Sequence, residues 1–192
     1  QRPADDLITH LIAAEAEGER LSTDELISTC ILLLNAGHEA TVHTIGNGVK
    51  TLIEAGIGDE ALTPDRVDAT VEEILRFDPA LHMFTRWAYE DVQVGGHVFR
   101  RGDRVGCLLA AANRDPAVWT DPNRFDPARP VRPHSSFGAG LHFCVGAPLA
   151  RLELQIALPI LLDRLPGLRI AGTLRYADVY HFHGLERLVL AR

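Results

Sequence analysis

The sequence predicts a mainly α fold with a small β region. Three observations carry that expectation. Apolar residues recur at helical spacing in blocks near 22–55, 64–78 and 147–164. Alternation with a period of two is confined to about 89–105, around the Gly95-Gly96 pair, and suggests a hairpin there. Residues 114–135 are proline-rich and aperiodic, and read as one long irregular connection. The expected order is helices first, then the β region, the loop, a further helix and short strand-like pieces.

Residues 5–17 read as a first helix, with Leu7, Ile8, Leu11 and Ile12 on one face. Ser22, followed three residues later by Glu25, fits a capping box. The helix it starts extends to about Ala55. Its middle holds Gly37, His38, Glu39, Thr41 and His43, which is unusual for a purely structural element. Thr63 reads as an N-cap with Pro64 at the first helical position. Val67, Val71, Ile74 and Leu75 follow at helical spacing, and Pro79 ends the run. Pro148 opens the last helix, which carries Leu149, Leu152, Ile156, Ile160 and Leu161.

With 192 residues the chain is long enough for one domain with a substantial core. Its hydrophobic content of 46% and charged content of 23% are those of a globular protein. A net charge of −7 gives no electrostatic footprint for nucleic acid or an anionic membrane. Cys30, Cys107 and Cys144 are widely spaced and form no C-x-x-C, so neither a disulfide framework nor a zinc ribbon is indicated. The start is polar and acidic, unlike a signal peptide, and the longest apolar run, Ile31 to Leu34, is far too short to span a bilayer. A reducing cytoplasm is the expected location. The sequence "GHEATVH" places His38 and His43 five apart, about 140° around a helix, so they cannot chelate one zinc from one face. His181 and His183 fall on one side of an expected strand with no third ligand evident. Arg101-Gly102-Asp103 reads as a turn between strands.

The stretch "FGAGLHFCVGAPLARLEL" concentrates the chemistry. Gly138, Gly140 and Gly146 permit unusual backbone angles and close approach of a flat ligand. Cys144 stands just before a helix N-terminus, where free amides and the positive end of the dipole suit an anionic sulfur. Such a sulfur is a nucleophile or a metal ligand; a buried structural cysteine is the plainer alternative.

The pattern Phe137-Gly138-x-Gly140-x-His142-x-Cys144-x-Gly146 resembles the haem-binding loop of the cytochrome P450 family, with every position filled. The resemblance makes Cys144 the axial thiolate on haem b (iron protoporphyrin IX), a ligand that favours O–O cleavage. It gives His142 a haem propionate and makes Phe137 the shield of the sulfur. Arg86 in "FTRWA" matches the family's propionate-binding arginine. Glu73 and Arg76 in "EEILRFDP" resemble the family's E-x-x-R, with Arg124 in "PNRF" as the expected third member of a buried structural triad. "AGHEAT" resembles the oxygen-binding signature of the family's central helix. There Gly37 lets the helix widen, and Glu39 and Thr41 serve proton delivery. The family usually has threonine directly after the acid, where this chain has Ala40; Thr41 is turned about 100° from that position. Leu81, His82, Met83 and Phe84 are the expected lining of the substrate pocket.

The resemblance covers nearly the whole chain but only the C-terminal half of the family's length. It implies a partial cytochrome P450 domain over residues 1–192 of a soluble bacterial type. The implied activity is monooxygenation, insertion of one oxygen atom of O2 into a small organic substrate. A ferredoxin or flavodoxin-type donor would supply electrons, with Arg151 at a family docking position. The alternative is a non-catalytic or truncated haem-thiolate protein without turnover. Self-association or the missing N-terminal half is expected to cover an exposed apolar face.

Overall fold

The computed structural model describes residues 4–16 and 19–192. The chain divides into two compact units, residues 1–39 and 40–192. In the first, α1 (Leu7–Ala13) is capped by Asp6, whose side chain accepts from the Thr9 amide. It ends at Ala13, earlier than the sequence suggested, because Ala14 is already extended. Strands β1 (Glu15–Ala16) and β2 (Glu19–Arg20) pair next; Glu17, where that helix was expected to end, lies outside the described residues.

The long helix α2 (Thr23–Ala55) follows. Its capping box forms reciprocally. The Ser22 amide donates to Glu25 Oε2 at 2.8 Å, and the Glu25 amide donates to Ser22 Oγ at 3.3 Å. Of α2, only the stretch from Thr44 to Leu52 holds buried residues.

In the second unit that buried stretch of α2 packs with α3 (Val67–Phe77) and α5 (Ala147–Arg164). Val49, Leu52, Val71, Ile74, Leu75, Leu154, Leu158 and Leu162 form the core together with Leu62. Gly48 is the close-approach point, where an added Cβ would meet Ile74 Cγ2 at 3.2 Å. Helix α3 starts three residues after the expected Pro64. The Thr63 carbonyl accepts from both Arg66 and Val67 amides at 2.9 Å, so Thr63 opens a turn and Arg66 takes the cap position. The helix ends at Phe77, as the Asp78-Pro79 pair requires.

Helix α5 differs from its sequence reading. Leu149, Leu152, Ile156 and Ile160 are exposed, and the buried face is Ala147, Leu154, Leu158 and Leu162. The helix is apolar on two sides, and this unit covers only one.

The β region begins at residue 83 rather than 89. Strand β3 (Met83–Trp87) pairs antiparallel with β6 (Arg104–Leu108), with Phe84 opposite Cys107. Strands β4 (Val92–Val94) and β5 (His97–Phe99) form a hairpin closed by Gly95 and Gly96, with φ of 56° and 82°, as a two-residue primed turn demands. Val92, Val94 and Val98 nonetheless point to solvent. Arg101, Gly102 and Asp103 form the turn into β6, where Gly102 has φ 93° and the Asp103 amide donates to the Arg100 carbonyl. A one-turn helix, α4 (Leu109–Ala112), leads into the irregular segment. Near the C-terminus β7 (Arg169–Ile170) pairs with β10 (Leu190–Ala191), and β8 (Arg175–Tyr176) with β9 (Leu185–Arg187). His181 and His183 lie between strands, not in one. Among the described residues no helix is long and apolar enough to cross a membrane.

Candidate functional site

The cysteine loop sits between two short 3-10 turns and α5. Gly138 and Gly140 both have φ 71°, a conformation that side chains with a Cβ rarely adopt. These two positions turn the chain back on itself. The Cys144 amide then donates to the Phe137 carbonyl at 3.0 Å, and the Ala147 amide donates to the Cys144 carbonyl at 3.2 Å. The second bond joins the loop to α5, where Pro148 lies in the first turn. Cys144 is exposed, and so are its neighbours: Leu141 is 96% exposed and Val145 88%. Large apolar side chains therefore lie open on both sides of the thiol. A Cβ on Gly140 would meet nothing within 4 Å, so that face of the loop is open.

The loop is anchored on α3. Ser136 Oγ donates to the Leu75 carbonyl at 2.7 Å and accepts from Asn113 Nδ2 at 2.7 Å. Asn113 Oδ1 in turn accepts the Ser135 amide. Arg151 donates to both oxygens of Glu72, at 2.5 and 3.1 Å, and its guanidinium lies 4.6 Å from the centre of the Phe137 ring. His134 Nε2 lies 3.2 Å from Glu72 Oε2. Burial would raise the Glu72 carboxyl, but His134 and Arg151 outweigh it and hold the group at about 2. Arg151 is held above its ordinary value, first by the bond to Glu72, with the charge of Cys144 a smaller contribution.

Glu73 and Arg76 form a bidentate pair, with both bonds at 2.7 Å and side chains 4% and 1% exposed. Arg76 also donates to the carbonyls of Asn113, Pro122 and Arg124, which fastens the irregular segment to α3. The third member of the triad is not the expected Arg124. That side chain is 70% exposed, and among the described residues it reaches only Asp126, at 3.8 Å. Arg129 takes the place. Its Nε donates to Glu73 Oε1 at 3.3 Å, and its other nitrogens donate to the carbonyls of Thr120, Asp121 and Arg124. The Asp126 amide also donates to Glu73, so the chain turns there and points Arg124 outward. Arg124 contributes its carbonyl, not its charge.

The remaining site residues of this unit are not gathered into one bonded cluster. Arg86 is exposed on β3, where it donates to the Thr85 carbonyl and lies over the Phe84 ring. His142 is exposed in the 3-10 turn of the loop, and Gly146 caps α5. Leu81 bridges Phe182, Met83 approaches Gly106, and Phe84 is 39% exposed. His82 belongs to a polar cluster that sequence reasoning missed. Its ring stacks on His183 at 4.0 Å, and His183 stacks on Tyr176 at 4.0 Å. Asp78 faces His183 at 3.3 Å and accepts from Lys50 at 2.7 Å, and Lys50 also donates to the Tyr176 hydroxyl. Burial, then the neighbouring His183, push His82 down to about 4. Ligand atoms of Asp78, His82 and His183 lie within 4.8 Å of one another. Lys50 already neutralises Asp78, and the His82 ring is committed to its stack on His183, so the cluster reads as structural. Asp78 and His82 are close in sequence, but His183 reaches them only through the fold, so no local pattern could have found the cluster.

Gly37 and Glu39 fall in the part of α2 that belongs to the first unit, and both are exposed. Thr41 falls in the second unit and is partly buried. Thr44, one helical turn after Ala40, donates its hydroxyl to the Ala40 carbonyl at 2.7 Å.

Residues 66–166 match the family model described as Cytochrome P450. The chain belongs to the cytochrome P450 family. It is 42% identical over 193 residues to the biotin biosynthesis cytochrome P450 of Bacillus subtilis, covering 98% of this chain and 48% of that protein. It is 45% identical over 175 residues to the nocardicin C N-oxygenase of Nocardia uniformis, covering 89% of this chain and 44% of the relative. The solved structure of the bacillaene polyketide synthase cytochrome P450 PksS of Bacillus subtilis superposes with a TM-score of 0.94 at 39% identity, covering 99% of this chain and 50% of that one. This P450 chain therefore spans about half the length of the curated relatives it matches.

Members of the family bind haem b, and the loop fits that group. A soft sulfur donor lies exposed among apolar side chains, beside glycine backbone with an open face. That combination suits a flat apolar macrocycle carrying iron.

Proposed function

We propose that this chain is the haem-thiolate portion of a P450 monooxygenase acting on a small organic substrate. The observation that carries the reading is the exposed Cys144, presented by a hydrogen-bonded glycine loop at the head of α5 and ringed by exposed apolar side chains. Cys144 would hold the iron, Arg86 and His142 the propionates, and Phe137, Gly138 and Gly146 would shape the loop. Bound haem supplies the activation of O2, from which one oxygen atom enters the substrate and the other leaves as water. Glu39 and Thr41 are assigned to proton delivery, and Gly37 to the widening of the helix beside them. Because Ala40 stands between the acid and Thr41, proton delivery uses the Thr41 hydroxyl from another angle, an ordered water or a hydroxyl of the substrate. Leu81, His82, Met83 and Phe84 are assigned to the substrate pocket.

Electrons are assigned to a ferredoxin or flavodoxin-type donor on the cysteine side, where Arg151, the contact the resemblance implies, already has its guanidinium committed to Glu72. The exposed face of α5, Leu149, Leu152, Ile156 and Ile160, is assigned to burial against a second copy or the N-terminal portion of the family fold. Incorporation of label from isotopic O2 into product, with donor protein and reductant supplied, tests the reading. A second reading is a haem-thiolate protein without turnover, which Ala40 favours. It predicts haem uptake with no labelled product under the same conditions.

A further inference from the structure

Glu72 is where both flanks of the Cys144 loop meet. His134 stands ten residues before the cysteine and Arg151 seven after it, and both reach the one carboxylate on α3. His134 Nδ1 accepts the Ser136 amide at 3.3 Å, which leaves the proton on Nε2, the nitrogen facing Glu72. That Nε2 is buried and has no hydrogen-bond partner among the described residues, so its 3.2 Å approach to Glu72 is an electrostatic contact. On the other flank Arg151 uses its planar fork on Glu72 and its flat face on the Phe137 ring. Phe137 is the residue whose carbonyl accepts the Cys144 amide. A continuous chain of contacts therefore runs from Glu72 through Arg151 and Phe137 to the sulfur-bearing residue.

We infer that Arg151, clamped by Glu72, is a positioning residue that fixes the Cys144 loop through the Phe137 ring and backbone. This assignment deepens the haem-thiolate reading and rests on it for its functional meaning, though not for its geometry. A docking charge needs an available cation. This guanidinium is 31% exposed and has both of its Glu72 bonds made. Lysine could supply the charge but not the two-pronged bond with a stacked face, because its ammonium is a compact point donor. The neighbouring acids divide the work. Glu73 fastens the irregular segment, and Glu72 fastens the cysteine loop.

The test is amide hydrogen exchange on the chain without haem, followed residue by residue, for Arg151→Lys, Arg151→Met and Glu72→Gln. Losing a partly buried cation–π stack and its clamp should speed exchange at Cys144 and Ala147 roughly fivefold to tenfold. Core amides of α3, such as Ile74 and Leu75, should stay at the parent rate. Arg151→Lys should fail to restore protection. Unchanged exchange at Cys144 in both Arg151 variants would overturn the inference. So would a uniform rise across the core amides, which marks general destabilisation, or full protection in Arg151→Lys, which marks a simple charge. Where the chain takes up haem, both Arg151 variants should also shift its reduction potential in the absence of any donor protein. Absence of haem uptake would count against the haem reading alone and leave the exchange result to decide this one.

Discussion

Replacing Arg129 with alanine should destabilise the chain far more than replacing Arg124. Arg129 is 12% exposed and makes one charge-assisted bond to Glu73 and three bonds to backbone carbonyls. Hydrogen bonds involving a charged group contribute about 1.5–3 kcal/mol, but the three carbonyls here lie near solvent and recover water, so the net loss is about 2 kcal/mol. Arg124→Ala removes an exposed side chain whose ion pair with Asp126 spans 3.8 Å, and leaves its carbonyl bonds to Arg76 and Arg129 in place. That change should cost about 0–0.5 kcal/mol. Urea unfolding followed by circular dichroism separates the two. At a slope of about 2 kcal/mol per M, Arg129→Ala lowers the midpoint by about 1 M and Arg124→Ala barely moves it. Glu73→Ala should be worse than either, at about 3–5 kcal/mol, because it strands the Arg76 charge in the core. Equal losses for the two arginine variants, or a larger one for Arg124→Ala, would refute the assignment of Arg129 as the third member of the triad.

Acid sensitivity should come in two windows. His82 is held at about 4, below its ordinary 6.5, so its neutral form stabilises the fold and that contribution is lost as pH falls from 6.5 towards 4. His82→Phe should flatten stability across that interval. Glu72 is held at about 2, below its ordinary 4.5, so its contribution is complete above 4.5 and is lost as pH falls towards 2. Denaturant titrations at stepped pH should show Glu72→Gln flattening this lower window. Gly184→Ala would drive its new Cβ into the His43 imidazole and should cost about 1–3 kcal/mol by thermal melting. Adding His43→Ala should recover part of that loss; no recovery would mean that the clash is not with His43.

Local signals were the legible ones. The Ser22–Glu25 box, the Gly95-Gly96 hairpin and the helical phase of α3 depend on neighbours within a few residues, and each stands in the structure. The P450 loop motif was legible because its glycines must adopt the φ that Gly138 and Gly140 show. Choices made by tertiary contact were hidden. "NRFDPAR" offers two arginines close together, and only the turn at Asp126 decides that the later one reaches Glu73. Helix α5 is apolar on more than one side, so its periodicity could not say which side is buried. Lys50 and Tyr176 stand 126 residues apart, and no local pattern joins them. The role of Glu72 was masked by its neighbour Glu73, which carried the recognisable motif.

The measurement that bears most directly on the central claim is the absorption spectrum of the chain after addition of haemin, reduced under carbon monoxide, beside Cys144→Ser. Haem uptake with a strongly red-shifted Soret band is expected in the parent, and loss of that band in the variant. No uptake, or the same band in both proteins, would contradict the assignment of Cys144 as the thiolate that holds the iron.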